Sequence, residues 1–170
     1  MPQGPFLAQS DCREWIESKQ GGQDPDYYAI VDKQSGNALG VASYLRIDPG
    51  ARSIEFGWIT YSPQLQRSRI AIGAMFVLKR NAFDSGYQRD ESKCDVLNES
   101  SMRAAERLGM THERTFRQAA VVKGRNRDTA WFTIVDSDWP AMRVAFEQWL
   151  DPIKFDAQGN QVVSLGPLEW

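Results

Sequence analysis

The stretch that most constrains this chain runs from Ser53 to Asn98, because its residue pattern changes from strand to helix and back. Ser53 to Thr60 (SIEFGWIT) alternates as a strand, with Ile54, Phe56 and Trp58 expected on one side and Glu55, Gly57 and Ile59 on the other. From Ile70 to Asp84, Ala71, Met75, Leu78 and Ala82 recur at four, three and four residues, which is one stripe of a helix. Arg89 to Leu97 reads as a second strand. A strand–helix–strand unit of this length makes its two strands parallel, joined by a right-handed crossover. Gln66 to Ala71 sits where the first strand gives way to the helix. A helix start offers unpaired backbone N–H groups and the positive end of the helix dipole, so this segment suits a phosphate or pyrophosphate.

The flanks complete an α/β (α+β) pattern. A short helix is expected after Ser10 or Asp11, with Trp15 and Ile16 on its apolar side and Gly21-Gly22 ending it. Tyr27–Asp32 and Leu39–Arg46 read as a hairpin around the Lys33–Asn37 turn, and Asp48-Pro49-Gly50 turns into the Ser53 strand. Asn98 precedes a helix whose Ser101, Ala104, Ala105 and Leu108 share a face and which Gly109 stops. Arg114–Lys123 and Thr129–Val135 read as strands turned by Gly124-Arg125-Asn126. Ser137–Leu150 reads as a helix with Pro140 in its first turn, and an irregular tail follows. The division expected is a helical remnant (1–26), one domain (27–150) and a tail packing on it (151–170).

Composition excludes several function classes. A net charge of -2 gives no general electrostatic case for nucleic acid or an anionic membrane as partner. The only histidine is His112, in an expected loop, so a histidine-rich metal site is impossible and no metal is expected. Cys12 and Cys94 form no CxxC pattern and fit free thiols in a reducing compartment. No apolar run is long enough to span a bilayer and no signal peptide is recognisable, so a cytoplasmic location is the default expectation. Glu55 stands out in a run that otherwise looks buried. It reads either as a carboxylate paired with a nearby arginine or as a general base.

Two motifs carry a family resemblance over residues 27–136. Gln66-x-x-Arg69-x-Ala71 is similar to the Q/R-x-x-G-x-G/A signature of the Gcn5-related N-acetyltransferases, the GNAT superfamily, with Arg69 where the family keeps glycine. Asn98-Glu99-Ser100-Ser101 through Leu108-Gly109-Met110 resembles that family's second motif. The runs Ser92–Asp95, Leu97-Asn98, Arg103–Met110 and Phe116–Phe132 resemble its RimJ/RimL-like branch.

The resemblance implies a GNAT fold: a mixed central sheet with antiparallel hairpins, a β-α-β pyrophosphate unit and flanking helices. The family's first strand and first helix are expected to be missing here. An uncovered sheet edge is a pairing site, so a homodimer is one expectation and a drifted function the other.

The implied activity is direct transfer of acetyl from acetyl-CoA to an amine of a small molecule or a peptide N-terminus. Glu55, eleven residues before Gln66, holds the family position of the base. Ala105 replaces the family's tyrosine acid, which leaves Ser101, water or no acid for the leaving thiolate. Cofactor contacts are expected from Ile59, Thr60, Tyr61, Gln66, Arg67, Ser68, Arg69, Ile70, Ala71, Asn98 and Arg107. The guanidinium of Arg69 is a candidate phosphate donor. Ser62-Pro63 is expected to stop pairing, so that the two parallel strands splay and admit pantetheine between them. Tyr44, Trp58 and Trp131 are candidate walls of an acceptor pocket, and core packing is the alternative for each. Lys123, Arg125 and Arg127 read either as a solvated loop or as a patch for an acidic substrate or the cofactor's 3′-phosphate. The alternative to an enzyme is a GNAT-fold protein that no longer transfers acetyl and binds a ligand or partner, or runs another reaction in the same cleft.

Overall fold

The structure, a computed structural model, describes residues 6–155. In chain order the elements are α1 (Gln9–Glu17), β1 (Asp26–Val31), β2 (Ala38–Asp48), β3 (Ser53–Tyr61), α2 (Arg69–Asp84), β4 (Arg89–Asp95), α3 (Glu99–Arg107), β5 (Thr111–Val122), β6 (Arg125–Val135) and α4 (Trp139–Trp149). The six strands form one sheet in the order β1-β2-β3-β4-β6-β5. Every neighbouring pair is antiparallel except β3 and β4, which are parallel, as the crossover through α2 requires.

One face of the sheet is covered by helices. The α2 stripe of Ala71, Met75, Leu78 and Ala82 lies on Ile30, Ala42, Tyr44, Ile54 and Phe56. Phe76 of α2 joins Ala105 of α3 and Trp139, Met142, Phe146 and Trp149 of α4 over Ala130, Phe132 and Ile134 of β6. Each such side chain contributes about 1.5–3 kcal/mol on burial, so this double cluster holds the helices to the sheet. Between α2 and β4, Lys79 and Asp90 form an ion pair whose side chains are 1% and 0% exposed. The opposite face carries Arg89, Glu91, Lys93 and Asp95, the alternate positions of β4, and is called the open face below. There α1 meets the sheet through Trp15, whose ring lies 5.8 Å edge-on from Tyr27.

Several local expectations change. The first residue outside α1 at its start is Ala8, and no side chain caps that helix, in place of Ser10 or Asp11. His112 lies in β5 and not in a loop, with Nε2 3.2 Å from the Thr115 hydroxyl. The β5–β6 hairpin is longer than the sequence suggests. It closes in two residues, Lys123 and Gly124, with φ of 51° and 75°, the backbone a tight hairpin turn needs. Trp58 does not continue the Ile54–Phe56 side. Ser43 pairs with Gly57 and Val41 with Thr60, so β3 holds one residue more than β2 across this interval. Trp58 takes up that bulge with a φ of 51° and turns onto the open face, 6.2 Å edge-on from Tyr27. At the C-terminal end, Phe155 stands edge-on to Trp149 at 5.2 Å. The rest of the expected tail, 156–170, lies outside the described residues, as do residues 1–5.

A candidate active site at the fork between two parallel strands

β3 and β4 pair only through Ser53–Arg89, Ile54–Asp90 and Glu55–Glu91. Beyond that point β4 stays with β6 as far as Asp95, while β3 runs on to Tyr61 beside β2. The two parallel strands therefore fork, with Glu55 and Glu91 as the last pair at the vertex. The split opens at Phe56, ahead of Ser62-Pro63, which corrects the expected cause. The Trp58 bulge adds local twist to β3 and carries it away from β4.

Glu55 points onto the open face and is 4% exposed. A carboxylate this deep needs charged partners, and it has two. Arg46 Nη1 and Lys93 Nζ each lie 2.6 Å from the same oxygen, Oε2. The other oxygen, Oε1, accepts no hydrogen bond among the described residues. Lys93 also reaches Glu91 Oε2 at 3.0 Å and stands 3.6 Å from the centre of the Trp131 ring, a close cation–π contact. Arg89 extends the network to Glu91 at 2.7 Å and Glu113 at 2.5 Å. Burial pushes the Glu91 carboxyl up, but the bonds from Arg89 and Lys93 outweigh this and hold it below the usual range. The bond from Arg89 likewise holds Glu113 low.

At the mouth of the fork stands the start of α2. Ser68 caps it, its hydroxyl accepting from Ala71 N at 3.1 Å. The amides of Arg69 and Ile70 donate no hydrogen bond within the described residues. They sit where the helix dipole is positive, so they fit an anion such as a pyrophosphate. Arg67 precedes them with a φ of 59°. Gln66 faces back, its Nε2 3.4 Å from the Tyr61 carbonyl. Ile59, Thr60 and Ile70 are exposed around this mouth, while Tyr61 and Ala71 pack into the core. Burial pushes the Tyr61 hydroxyl up to about 12.

The guanidinium of Arg69 does not point out of the loop. Its Nη2 donates to the Leu150 carbonyl at 2.5 Å, and it lies 5.0 Å over the Phe155 ring. Arg69 thus fastens the end of α4 to the start of α2, and only its backbone faces an anion. Arg69→Ala is expected to cost about 1.5–3 kcal/mol of stability, the range for a hydrogen bond to a charged group. Anion affinity at the helix start should stay nearly unchanged, as checked by urea denaturation alongside titration with inorganic pyrophosphate.

Asn98 is the cap of α3, its Oδ1 accepting from Ser101 N at 3.2 Å and from the Ser100 hydroxyl at 2.7 Å. The Ser101 hydroxyl makes no hydrogen bond among the described residues. Ala105 is buried in the core. Arg107 is exposed at the far end of α3, about 13 Å from Asn98 at ~1.5 Å per residue, and is not brought to the vertex.

Tyr44 is a correction. It is 4% exposed on the helical face, and its hydroxyl donates to the Leu78 carbonyl at 2.7 Å, so it is core and not an acceptor wall. Trp58 and Trp131 do lie on the open face. Arg46, Glu91 and Lys93 are the site residues that reading the sequence missed. The signal was present in β4, where Arg89, Glu91 and Lys93 alternate onto one side. It becomes readable once Glu55 is known to pair beside Glu91.

Comparison with known proteins bears on the family and the fold. Residues 2–111 match the family model described as "Acetyltransferase (GNAT) domain". A GCN5-related N-acetyltransferase from Brucella melitensis is 41% identical, with a TM-score of 0.93, over 97% of this chain and 75% of that one. A protein from Chromobacterium violaceum placed in the GNAT family is 39% identical, with a TM-score of 0.77, over 82% of this chain and 71% of that one. The spermidine/spermine N-acetyltransferase SpeG from Vibrio cholerae, 18% identical with a TM-score of 0.63 over 82% of each chain, shares the fold alone. No curated protein matches significantly. With a six-stranded mixed sheet, a forked parallel pair and a family match over most of its length, this chain belongs to the GNAT acetyltransferase domain family.

Proposed function

We propose that this protein is an acetyl-CoA-dependent N-acetyltransferase acting on a primary amine of a small molecule or a peptide N-terminus. The observation that carries the reading is the fork itself: an open gap between parallel strands, a capped helix start at its mouth and a buried carboxylate at its vertex. When bound, acetyl-CoA supplies an acetyl group activated as a thioester. The Arg69 and Ile70 amides bind its pyrophosphate, with Gln66, Arg67 and Ser68 shaping the loop. Ile59, Thr60 and the backbone of Tyr61 line the gap for the pantetheine arm, and Asn98 and Ser101 face it from α3. Arg46 and Lys93 hold Glu55 by Oε2, which leaves Oε1 to take the proton of the attacking amine. The C–N bond forms as the C–S bond breaks, and the thiolate leaves. Ser101 is the residue placed to supply a proton to it, although a thiolate leaves without one.

A second reading is a GNAT fold kept for binding without transfer. The double clamp on Glu55 favours it, since a carboxylate held by two cations is also a purely structural arrangement. Thermal-shift titration with acetyl-CoA and CoA tests the cofactor half. Stabilisation of about 2.7 kcal/mol is expected at 100 times the dissociation constant, and the absence of any shift at millimolar ligand sinks both the cofactor assignment and the transfer reading. CoA-thiol release with an amine panel then separates transfer from binding alone. The compartment is proposed to be the cytoplasm; among the described residues no helix is long and apolar enough to cross a membrane.

A further inference from the structure

The basic trio of the last hairpin separates once its partners are seen. Arg125 Nη2 lies 2.5 Å from Asp95 Oδ2, and the other oxygen of Asp95 accepts from Leu97 N at 3.0 Å. Asp95 is therefore occupied. Arg127 is different. It is half-buried, its side chain makes no ion pair or hydrogen bond among the described residues, and its Nε is sealed from solvent without a partner. Its charge is felt at Asp95 but lies beyond bonding reach of it. Buried donors in folded proteins are nearly always satisfied, and the terminal nitrogens of Arg127, which are not sealed, remain open to an anion arriving from solvent.

The position of Arg127 identifies the anion's source. Arg127, Thr129 and Trp131 alternate along β6, so they share the open face with Lys93 and Glu55. The cofactor's anion site lies elsewhere, at the start of α2, which Arg69 ties to α4 on the helical face. Glu55 is in register with Glu91 and Thr133, and the six residues from Thr133 to Arg127 span about 20 Å at ~3.3 Å each. An extended peptide covers about that distance in six residues.

We propose that Arg127 anchors an acidic group of the acceptor, about 20 Å along the sheet from the amine that meets Glu55, so that acid-bearing peptide-like amines are preferred over neutral or polycationic ones. The proposal rests on the acetyltransferase reading. It also accounts for the charge balance at the vertex, where Glu55, Glu91 and Glu113 are all paired with Arg46, Lys93 and Arg89 and none is left to attract a polycation.

The test is calorimetric binding of two amidated hexapeptides, Ser-Gly-Gly-Gly-Gly-Glu and Ser-Gly-Gly-Gly-Gly-Gln, to the CoA-saturated protein, run beside CoA release from acetyl-CoA with the same peptides. The wild type should favour the glutamate peptide on the order of tenfold. Arg127→Gln should bring the two peptides to about equal affinity, Arg127→Lys should keep part of the preference, and CoA binding should be the same in all three. Equal binding of the two peptides by the wild type overturns the proposal. So does an Arg127→Gln variant that loses CoA affinity and keeps the preference, since the anion would then belong to the cofactor's phosphate. A preference that persists while no peptide is acetylated supports the anchor and sinks the transfer reading instead.

Discussion

Glu55→Gln lowers kcat by roughly 10²–10⁴-fold at neutral pH, the span for loss of a positioned general base. The substitution keeps the shape of the side chain and removes the atom that takes the proton. The binding of CoA should be untouched, because the α2 start that carries the anion site is a separate element. The split between kcat and the KM for CoA is the sharper readout, because loss of a proton acceptor lowers kcat and leaves the cofactor's KM in place. Lys93→Met gives the companion result. Glu55 keeps Arg46 but loses half of its clamp, so kcat should fall less than in Glu55→Gln. A Glu55→Gln enzyme with an unchanged kcat would return Glu55 to a purely structural role and leave the fork without a base.

Lys79→Met costs about 3–5 kcal/mol at pH 7.5, because it strands the carboxylate of Asp90 in the core. The pair joins α2 to β4 directly beneath the crossover, with Lys79 Nζ 4.9 Å from the centre of the Phe56 ring. Asp90 Oδ1 has no other partner, so nothing else compensates the charge. Lys79→Met combined with Asp90→Leu should recover most of the loss, since an apolar pair of similar volume carries no desolvation penalty. The pH dependence has a definite sign. Burial pushes the Asp90 carboxyl up to about 6 from 3.8, against the pull of Lys79. A raised folded value means that the folded protein holds this proton more tightly than the unfolded chain does. The contribution is present in full below about 3.8 and is lost as pH rises through about 6. The deficit of Lys79→Met should therefore shrink between pH 7.5 and 5, as urea unfolding at the two values would register. A deficit below about 1 kcal/mol at pH 7.5, the cost of an exposed pair, would show that water reaches Asp90.

Much of the frame was legible before any coordinates. The 4-3-4 spacing of Ala71, Met75, Leu78 and Ala82 names the buried face of α2, and all four are buried. Asn98 stands where a helix begins and accepts the hydrogen bond expected of a cap. These are local signals, set by period and by the unpaired amides of a first turn. The site was legible only in part. Glu55 was singled out by being charged in an apolar run, and it lies at the vertex. Tyr44 was misplaced because an aromatic residue in a strand carries no mark of which layer will cover it.

The sequence by itself determined the order of elements, the parallel pairing of β3 and β4 through a crossover helix, and the helix start that can hold an anion. Those follow from chain length, hydrophobic period and backbone chemistry, none of which needs a distant partner. The tertiary structure alone decided what surrounds the vertex. A one-residue bulge at Trp58 opens the fork and turns an indole to the open face, and strand alternation does not encode a bulge. Sheet register brings Arg46, from nine positions before Glu55, and Lys93, from 38 after it, onto one carboxylate oxygen. The same register takes Arg69 to Leu150 and leaves Arg127 without a partner among the described residues. Which charges meet and which stay unmet depends on contacts between segments far apart in the chain, and no local pattern records them.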